Sequence, residues 1–209
     1  MPTTLRPIPR AEALKSIRGL IGNDLRKMAE ELDVTVFDKE SGKLNKGWAG
    51  HTVEAFLGIK RNSIQAPNGE YWELKVVPLK RTQKGIVVKE TMAITSVNAE
   101  KVVASNFGNS DLFHKLQSMI VCARFFVDKS EKESKLVKAT SYDLFDPELV
   151  SAIAKDYELI RSIIREQGFD ALSGRYGEYI QARTKGSKNS NTRSFYAKKN
   201  LLRIILGID

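Results

Sequence analysis

Glu73-Leu74-Lys75 sets a carboxylate and an ammonium two positions apart, within a run from Tyr71 to Val77 that is rich in β-branched and aromatic residues. Gly69 precedes the run and Pro78 follows it, so the run reads as a short strand. Side chains alternate faces along a strand, so Glu73 and Lys75 share one face while Trp72, Leu74 and Val76 enter a core on the other. The plain reading of such a pair is a solvated surface ion pair. Its neighbours point to chemistry instead. Asn68 follows Pro67 and stands five positions before Glu73, and another acid, Glu54, lies on an apparent helix just upstream.

These oxygen donors suit hydrolysis of a phosphodiester. That reaction needs an in-line water, neutralisation of charge on the phosphate and help for the leaving oxygen, much of which Mg²⁺ can supply. Glu73 and the Leu74 carbonyl are candidates for one metal, with the side chain at position 68. Glu54 is a candidate for a second metal or for orienting a metal-bound water. Lys75 is placed to polarise the attacking water or steady the phosphate charge. The arrangement Pro-acid-x4-Glu-x-Lys resembles that of the metal-dependent nucleases known as PD-(D/E)xK, with Asn68 at the position of the acid. No serine or cysteine nucleophile arrangement, P-loop or dinucleotide fingerprint is present, and the two histidines match no zinc spacing.

A second constellation lies near the C-terminus. Gln181-Ala182-Arg183-Thr184-Lys185-Gly186 is followed by Lys188, Arg193, Phe195-Tyr196, Lys198 and Lys199. A basic loop leading into a basic, aromatic helix start suits duplex DNA: cations and helix N-terminal amides bind phosphates, and Arg and Tyr reach base edges. The alternative is a solvated basic tail. The net charge of +9 over 209 residues agrees with a polyanionic partner. A lone cysteine, Cys122, lies in an apolar run and reads as a buried, inert thiol; it excludes an internal disulfide framework. No signal-peptide region or membrane-length apolar run is seen, so a cytoplasmic protein without a membrane partner is expected.

The elements that must carry these residues follow from periodicity. Helices are expected from Ala11, with Leu14, Ile17, Leu20 and Ile21 on one face, and again after Asn23 or Asp24. Asp38 to Gly50 reads as a loop and His51 to Leu57 as a short helix, with Val53, Phe56 and Leu57 inward and Gly58 closing it. The central strand is followed by a basic turn at Lys80 to Lys84 and a strand over Val87 to Val97, the two forming an antiparallel hairpin. Asn109 to Leu116 reads as a helix, and Ser118 to Val127 and Lys138 to Leu144 as strands. Asp146-Pro147 opens a long helix that ends at Gly168. Gly177 to Ala182 reads as a strand, Arg183 to Arg193 as a loop, and Ser194 onward as a last helix. This order describes a single mixed α/β domain with a loose lead-in over residues 1–10.

Taken together, several runs resemble the MutH-type endonucleases, which comprise a mismatch-repair nicking enzyme and related type II restriction enzymes. They are Lys46-Gly47-Trp48-Ala49-Gly50 with Glu54, Glu73-Leu74-Lys75, His114-Lys115-Leu116, Gly177 to Lys185, and Ser194 to Lys199. The stretch from Glu54 to Lys75 is also similar to the MvaI/BcnI restriction enzymes. The resemblance implies a central mixed sheet flanked by helices, with a DNA cleft between two lobes. It implies a Mg²⁺-dependent enzyme, with Mn²⁺ able to substitute, acting on double-stranded DNA, many relatives being monomers that cut one strand at a time. Its acids and lysine map onto Glu54, position 68, Glu73 and Lys75, and Lys115 would lie near the scissile phosphate. Lys46, His114, Arg193, Lys198 and Lys199 fall among DNA contacts, Arg183 and Lys185 on a recognition loop, and Tyr196 near a base or its methyl group. A restriction role implies a companion methyltransferase, and a repair role an activating partner. Asn68 departs from the pattern. The chain is an Asp-to-Asn form that traps DNA without cutting, or Glu70 supplies the carboxylate, or the protein is a catalytically dead DNA-binding module.

Overall fold

The computed structural model describes residues 8–59, 72–186 and 190–208. Asn68 and Glu70 lie outside them. The chain divides into two compact units, Met1–Lys89 with Met119–Ser141, and Glu90–Ser118 with Tyr142–Asp209.

In the first unit, α1 (Arg10–Arg18), α2 (Leu25–Glu31) and α3 (Trp48–Phe56) precede β1 (Glu73–Thr82) and β2 (Gly85–Val88). The sheet is completed by β4 (Ser118–Phe125) and β5 (Leu136–Asp143), in the order β2-β1-β4-β5. β1 runs antiparallel to β2 and parallel to β4, with Glu73 opposite Met119 and Lys75 opposite Val121. At its start β1 is paired along one edge by β4, and α3 packs on it; there Glu73 is buried together with Leu74, rather than solvated. Trp72, Leu74, Ile120, Cys122 and Leu136 share one core with Ile17, Leu25, Trp48 and Val53 from the helices, and Val76 packs against it. Burial pushes the Cys122 thiol up to about 12, so it is inert near neutral pH.

Asp24 caps α2 by accepting from the Arg26 amide. Gly58, at φ +69°, ends α3: its N–H donates to Ala55 and that of Ile59 to Glu54. The helix starts earlier than expected, at Trp48. Phe56 is exposed rather than inward, as is Ile21 beside α1. β1 does not stop before Pro78 but continues to Thr82. The β2 ladder begins at Leu79, so the N–H that Pro78 lacks breaks none of its pairs, and the Pro78 carbonyl accepts from the Lys89 amide at 2.9 Å.

The second unit holds β3 (Met92–Ser96), α4 (Ala99–Ala104), α5 (Asp111–Leu116), α6 (Pro147–Gln167), β6 (Ile180–Thr184), β7 (Arg193–Ala197) and α7 (Lys199–Leu206). Its antiparallel sheet runs β3-β7-β6. The strand expected over Val87 to Val97 is therefore two strands in two sheets, β2 and β3, broken at Lys89-Glu90. The stretch expected as the start of the last helix is strand β7, and the expected loop from Arg183 to Arg193 gives its ends to β6 and β7. β6 itself begins three residues later than expected, at Ile180. Helix α4 was not expected.

Asp146 caps α6 by accepting from the Glu148 and Leu149 amides, and Gly168 ends it at φ +87°. Its apolar stripe is buried as expected, and Tyr157 stacks on Phe195 with ring centres 5.9 Å apart. Among the described residues, no helix is long and apolar enough to cross a membrane.

Asp156 interrupts that stripe and is only 6% exposed. Its carboxylate accepts from the backbone N–H groups of Glu178, Tyr179 and Ile180 at 2.7, 2.7 and 2.8 Å, fixing the chain where it enters β6. The same turn is held from the other side. Lys198 Nζ donates to the Gly177 carbonyl at 2.6 Å, and Asn200 Nδ2 to the Glu178 carbonyl at 2.6 Å. A Cβ at Gly177 would lie 1.9 Å from the Ile180 carbonyl oxygen, so only glycine fits there. Asp156→Ala removes the acceptor of three backbone donors, of which the Ile180 N–H is buried, and is expected to cost about 3–5 kcal/mol. Thermal unfolding should show a midpoint lowered by roughly 10 °C; an unchanged midpoint would remove Asp156 from this role.

Candidate active site and nucleic-acid surface

The candidate catalytic groups of the first unit are set by two elements. β1 begins at Glu73, and its alternation returns Lys75 to the same side. Lys75 Nζ donates to Glu73 Oε1 at 2.8 Å. The Glu73 side chain is 8% exposed and that of Lys75 21%, so the pair sits at the buried margin with the ammonium nearer to water. The Leu74 side chain enters the core, which leaves its backbone carbonyl between the two charged residues. Helix α3 packs on β1 and carries Glu54, which is half-buried.

α3 is itself braced from below. Trp48, at its first turn, is fully buried, and the Arg124 guanidinium lies 4.9 Å from the ring centre. Arg124 is in turn gripped by buried Glu131, with bonds of 2.7 and 2.9 Å, and donates to Ser134 at 2.8 Å. A forked guanidinium–carboxylate pair of this kind is directional; it ties β4 to the turn that follows it and holds the guanidinium over Trp48, at the base of the helix bearing Glu54. This brace was not read from the sequence. Lys46 stands exposed on the loop just before α3.

The donors suit a hard divalent cation: a buried carboxylate, a backbone carbonyl and a second carboxylate, all oxygen. Among the described residues, no three His, Cys, Asp or Glu side chains stand close enough to form a metal site on their own. The expected donor at Asn68 lies outside them. Mg²⁺ fits such a site in kind, because it retains several waters and needs few protein ligands.

In the second unit, α5 carries exposed His114 and Lys115, the latter only 8% exposed. The β6–β7 register pairs Gln181 with Tyr196 and Arg183 with Ser194, which puts all four on one face. Arg183 lies over the Tyr196 ring at 4.3 Å. Lys185 and Lys199 are exposed. Two of the expected DNA contacts also make bonds within the chain. Arg193 is buried and donates to the Ser190 carbonyl at 3.0 Å and to Asp170 Oδ1 at 3.2 Å. Lys198 holds the Gly177 carbonyl.

A mixed sheet with helices packed on it, and a Glu-x-Lys pair at the start of a strand, agree with the PD-(D/E)xK nuclease fold, which is the fold of the family that matches this chain. The family described as "DNA mismatch repair enzyme MutH" matches residues 57–162. The chain belongs to the MutH family. It is 24% identical to the DNA mismatch repair protein MutH of Shewanella sp. (strain W3-18-1) over an alignment 228 positions long, gaps included, covering 99% of this chain and 98% of that one. It is 25% identical to the MutH of Shewanella oneidensis, with the same coverage. It is 28% identical to the type II restriction enzyme Sau3AI of Staphylococcus aureus over 160 residues. That match covers 74% of this chain but spans only 33% of the restriction enzyme's length.

Proposed function

We propose that the protein is a sequence-specific, Mg²⁺-dependent endonuclease of duplex DNA, of the type II restriction kind. What supports the reading is the buried Glu73 carboxylate bound by the Lys75 ammonium at 2.8 Å, in a chain of the MutH family. Glu73, the Leu74 carbonyl, the side chain at position 68 and Glu54 are the groups that would hold the metal. Bound there, Mg²⁺ neutralises phosphate charge and lowers the pKa of water. Lys75 gives one donor to Glu73, and an ammonium has two more with which to orient the attacking water or the phosphate oxygens. Lys115 contributes a further cation for the phosphate. Duplex is bound through Lys46, His114, Lys185 and Lys199, with Arg183 and Tyr196 facing the bases. Arg193 and Lys198 spend donors on their own backbone and act as struts of that surface.

The match to MutH proteins over nearly the whole of both chains favours a second reading, a repair enzyme that nicks one strand and waits for an activator. Incubation of supercoiled plasmid with Mg²⁺ and either the protein or its Asn68→Asp form separates them. Unaided conversion to linear product at discrete sites supports restriction, and nicking that needs an added partner supports repair. Absence of both, with specific binding retained, would leave a DNA-binding module.

Binding should fall steeply with salt, since phosphate contacts release counterions. Lys185→Ala and Lys199→Ala are each expected to reduce the slope of log K against log salt by about 1. A slope unchanged in both variants would take them off the DNA.

A further inference from the structure

We propose that Thr91 and Gln181 are positioning residues that hold the Arg183 guanidinium in one plane, and so set how strictly the protein discriminates between DNA sequences. The inference rests on the DNA reading above. Arg183 is held on three sides. Its Nη2 donates to Thr91 Oγ1 at 3.1 Å. The Gln181 amide is assigned the orientation that satisfies both of its ends, in which its oxygen accepts from Arg183 Nε at 3.0 Å and its nitrogen donates to the Gly174 carbonyl at 2.6 Å. The Tyr196 ring supports the flat face at 4.3 Å.

The geometry divides the guanidinium in two. Nε and Nη2 form its side edge, and Thr91 and Gln181 take that edge. The end edge, formed by Nη1 and the second hydrogen of Nη2, makes no hydrogen bond among the described residues. Two parallel donors held at a fixed angle match two adjacent acceptors on a purine edge in the major groove. An arginine on a free side chain could swing to a phosphate instead and would lose rotamer entropy on binding. Here that entropy is lost on folding, which makes a mismatched edge costly because the guanidinium cannot turn to another acceptor.

The supporting parts are themselves fixed. Gln181 is 5% exposed. A Cβ at Gly174 would fall 3.1 Å from Arg183 Cδ and 3.2 Å from the Gln181 amide, so the chain passes close behind both side chains. Gln181 and Tyr196 are cross-strand partners, and Arg183 lies diagonal to Tyr196 on the same face. Thr91 comes from the segment just before β3, on the far side of the same sheet.

The test is selection of bound sequences from a random duplex pool, without cleavage, for the wild type, Thr91→Val, Thr91→Ser and Gln181→Met. Thermal midpoints are measured in parallel. Thr91→Val and Gln181→Met remove hydrogen-bonding groups at nearly constant volume. Each is expected to relax discrimination at the same base pair by roughly tenfold, while the rest of the motif is still read. Thr91→Ser, which keeps the hydroxyl, should restore it. If the variants select the wild-type motif with undiminished discrimination, or lose preference evenly at every position, the positioning role is overturned. If the wild type itself selects no motif, the DNA reading fails and this inference with it.

Discussion

Asn68→Asp is expected to raise cleavage of duplex DNA by about two orders of magnitude or more, because it restores a charged oxygen donor where an amide now stands. An amide oxygen binds Mg²⁺ more weakly than a carboxylate and leaves one positive charge uncompensated. The gain should appear in turnover rather than in binding: affinity for a specific duplex measured without metal should change little, and the extra negative charge should weaken it if anything. Single-turnover cleavage of an excess of enzyme over duplex separates the two. A rate unchanged by the exchange would take position 68 out of the metal site and leave Glu70 or a non-cutting role as the explanation.

Glu73→Gln in the Asn68→Asp background is the second large effect. Glu73 combines a candidate metal ligand with the acceptor of the Lys75 ammonium at 2.8 Å. Glutamine keeps the volume and one carbonyl oxygen but removes the charge, so the ammonium loses its counter-charge in a buried setting. Cleavage is expected to fall by about 10³-fold, the range seen when a preorganised charge is removed from an active site. Near-constant duplex affinity and a retained fold, read by circular dichroism, would show that chemistry was lost rather than structure. Retained cleavage would place the metal elsewhere.

The Glu73–Lys75 pair was legible because strand alternation is local: two charged residues two positions apart must share a face. Its burial was not legible, since it depends on β4 pairing along the other edge of β1, more than forty residues away. Helix α6 was read with nearly correct ends because both are marked, Asp146-Pro147 at the start and Gly168 at the end. The last helix was misjudged for the opposite reason. Lys198 precedes α7 without a capping side chain, so nothing in Ser194 to Leu206 marks the change from strand to helix. Pairing of β7 with both β3 and β6 decides it. The break at Lys89-Glu90 likewise has no glycine or proline to announce it, because the chain changes sheets there without a tight turn.

Among candidate site residues, the exposed cations were easy to name from composition and hard to assign. Arg193 and Lys198 look like DNA contacts in the sequence, yet their acceptors are backbone carbonyls of Ser190 and Gly177, joined in the Arg193 case by Asp170. Asp156 left a readable trace, an acid three residues after Ile153 on an otherwise apolar stripe. The bond from Arg183 to Thr91 left none, since 92 positions separate them.

If Glu73 and position 68 hold the metal together, cleavage depends on both. A Mg²⁺ time course on supercoiled plasmid, methylated and unmethylated, compares the wild type, Asn68→Asp, and the Asn68→Asp/Glu73→Gln double variant side by side. The expected result is cutting at discrete sites by Asn68→Asp, far less by the wild type and none by the double variant. Equal cutting by Asn68→Asp and the double variant, or none by any form while all still bind DNA, would contradict it.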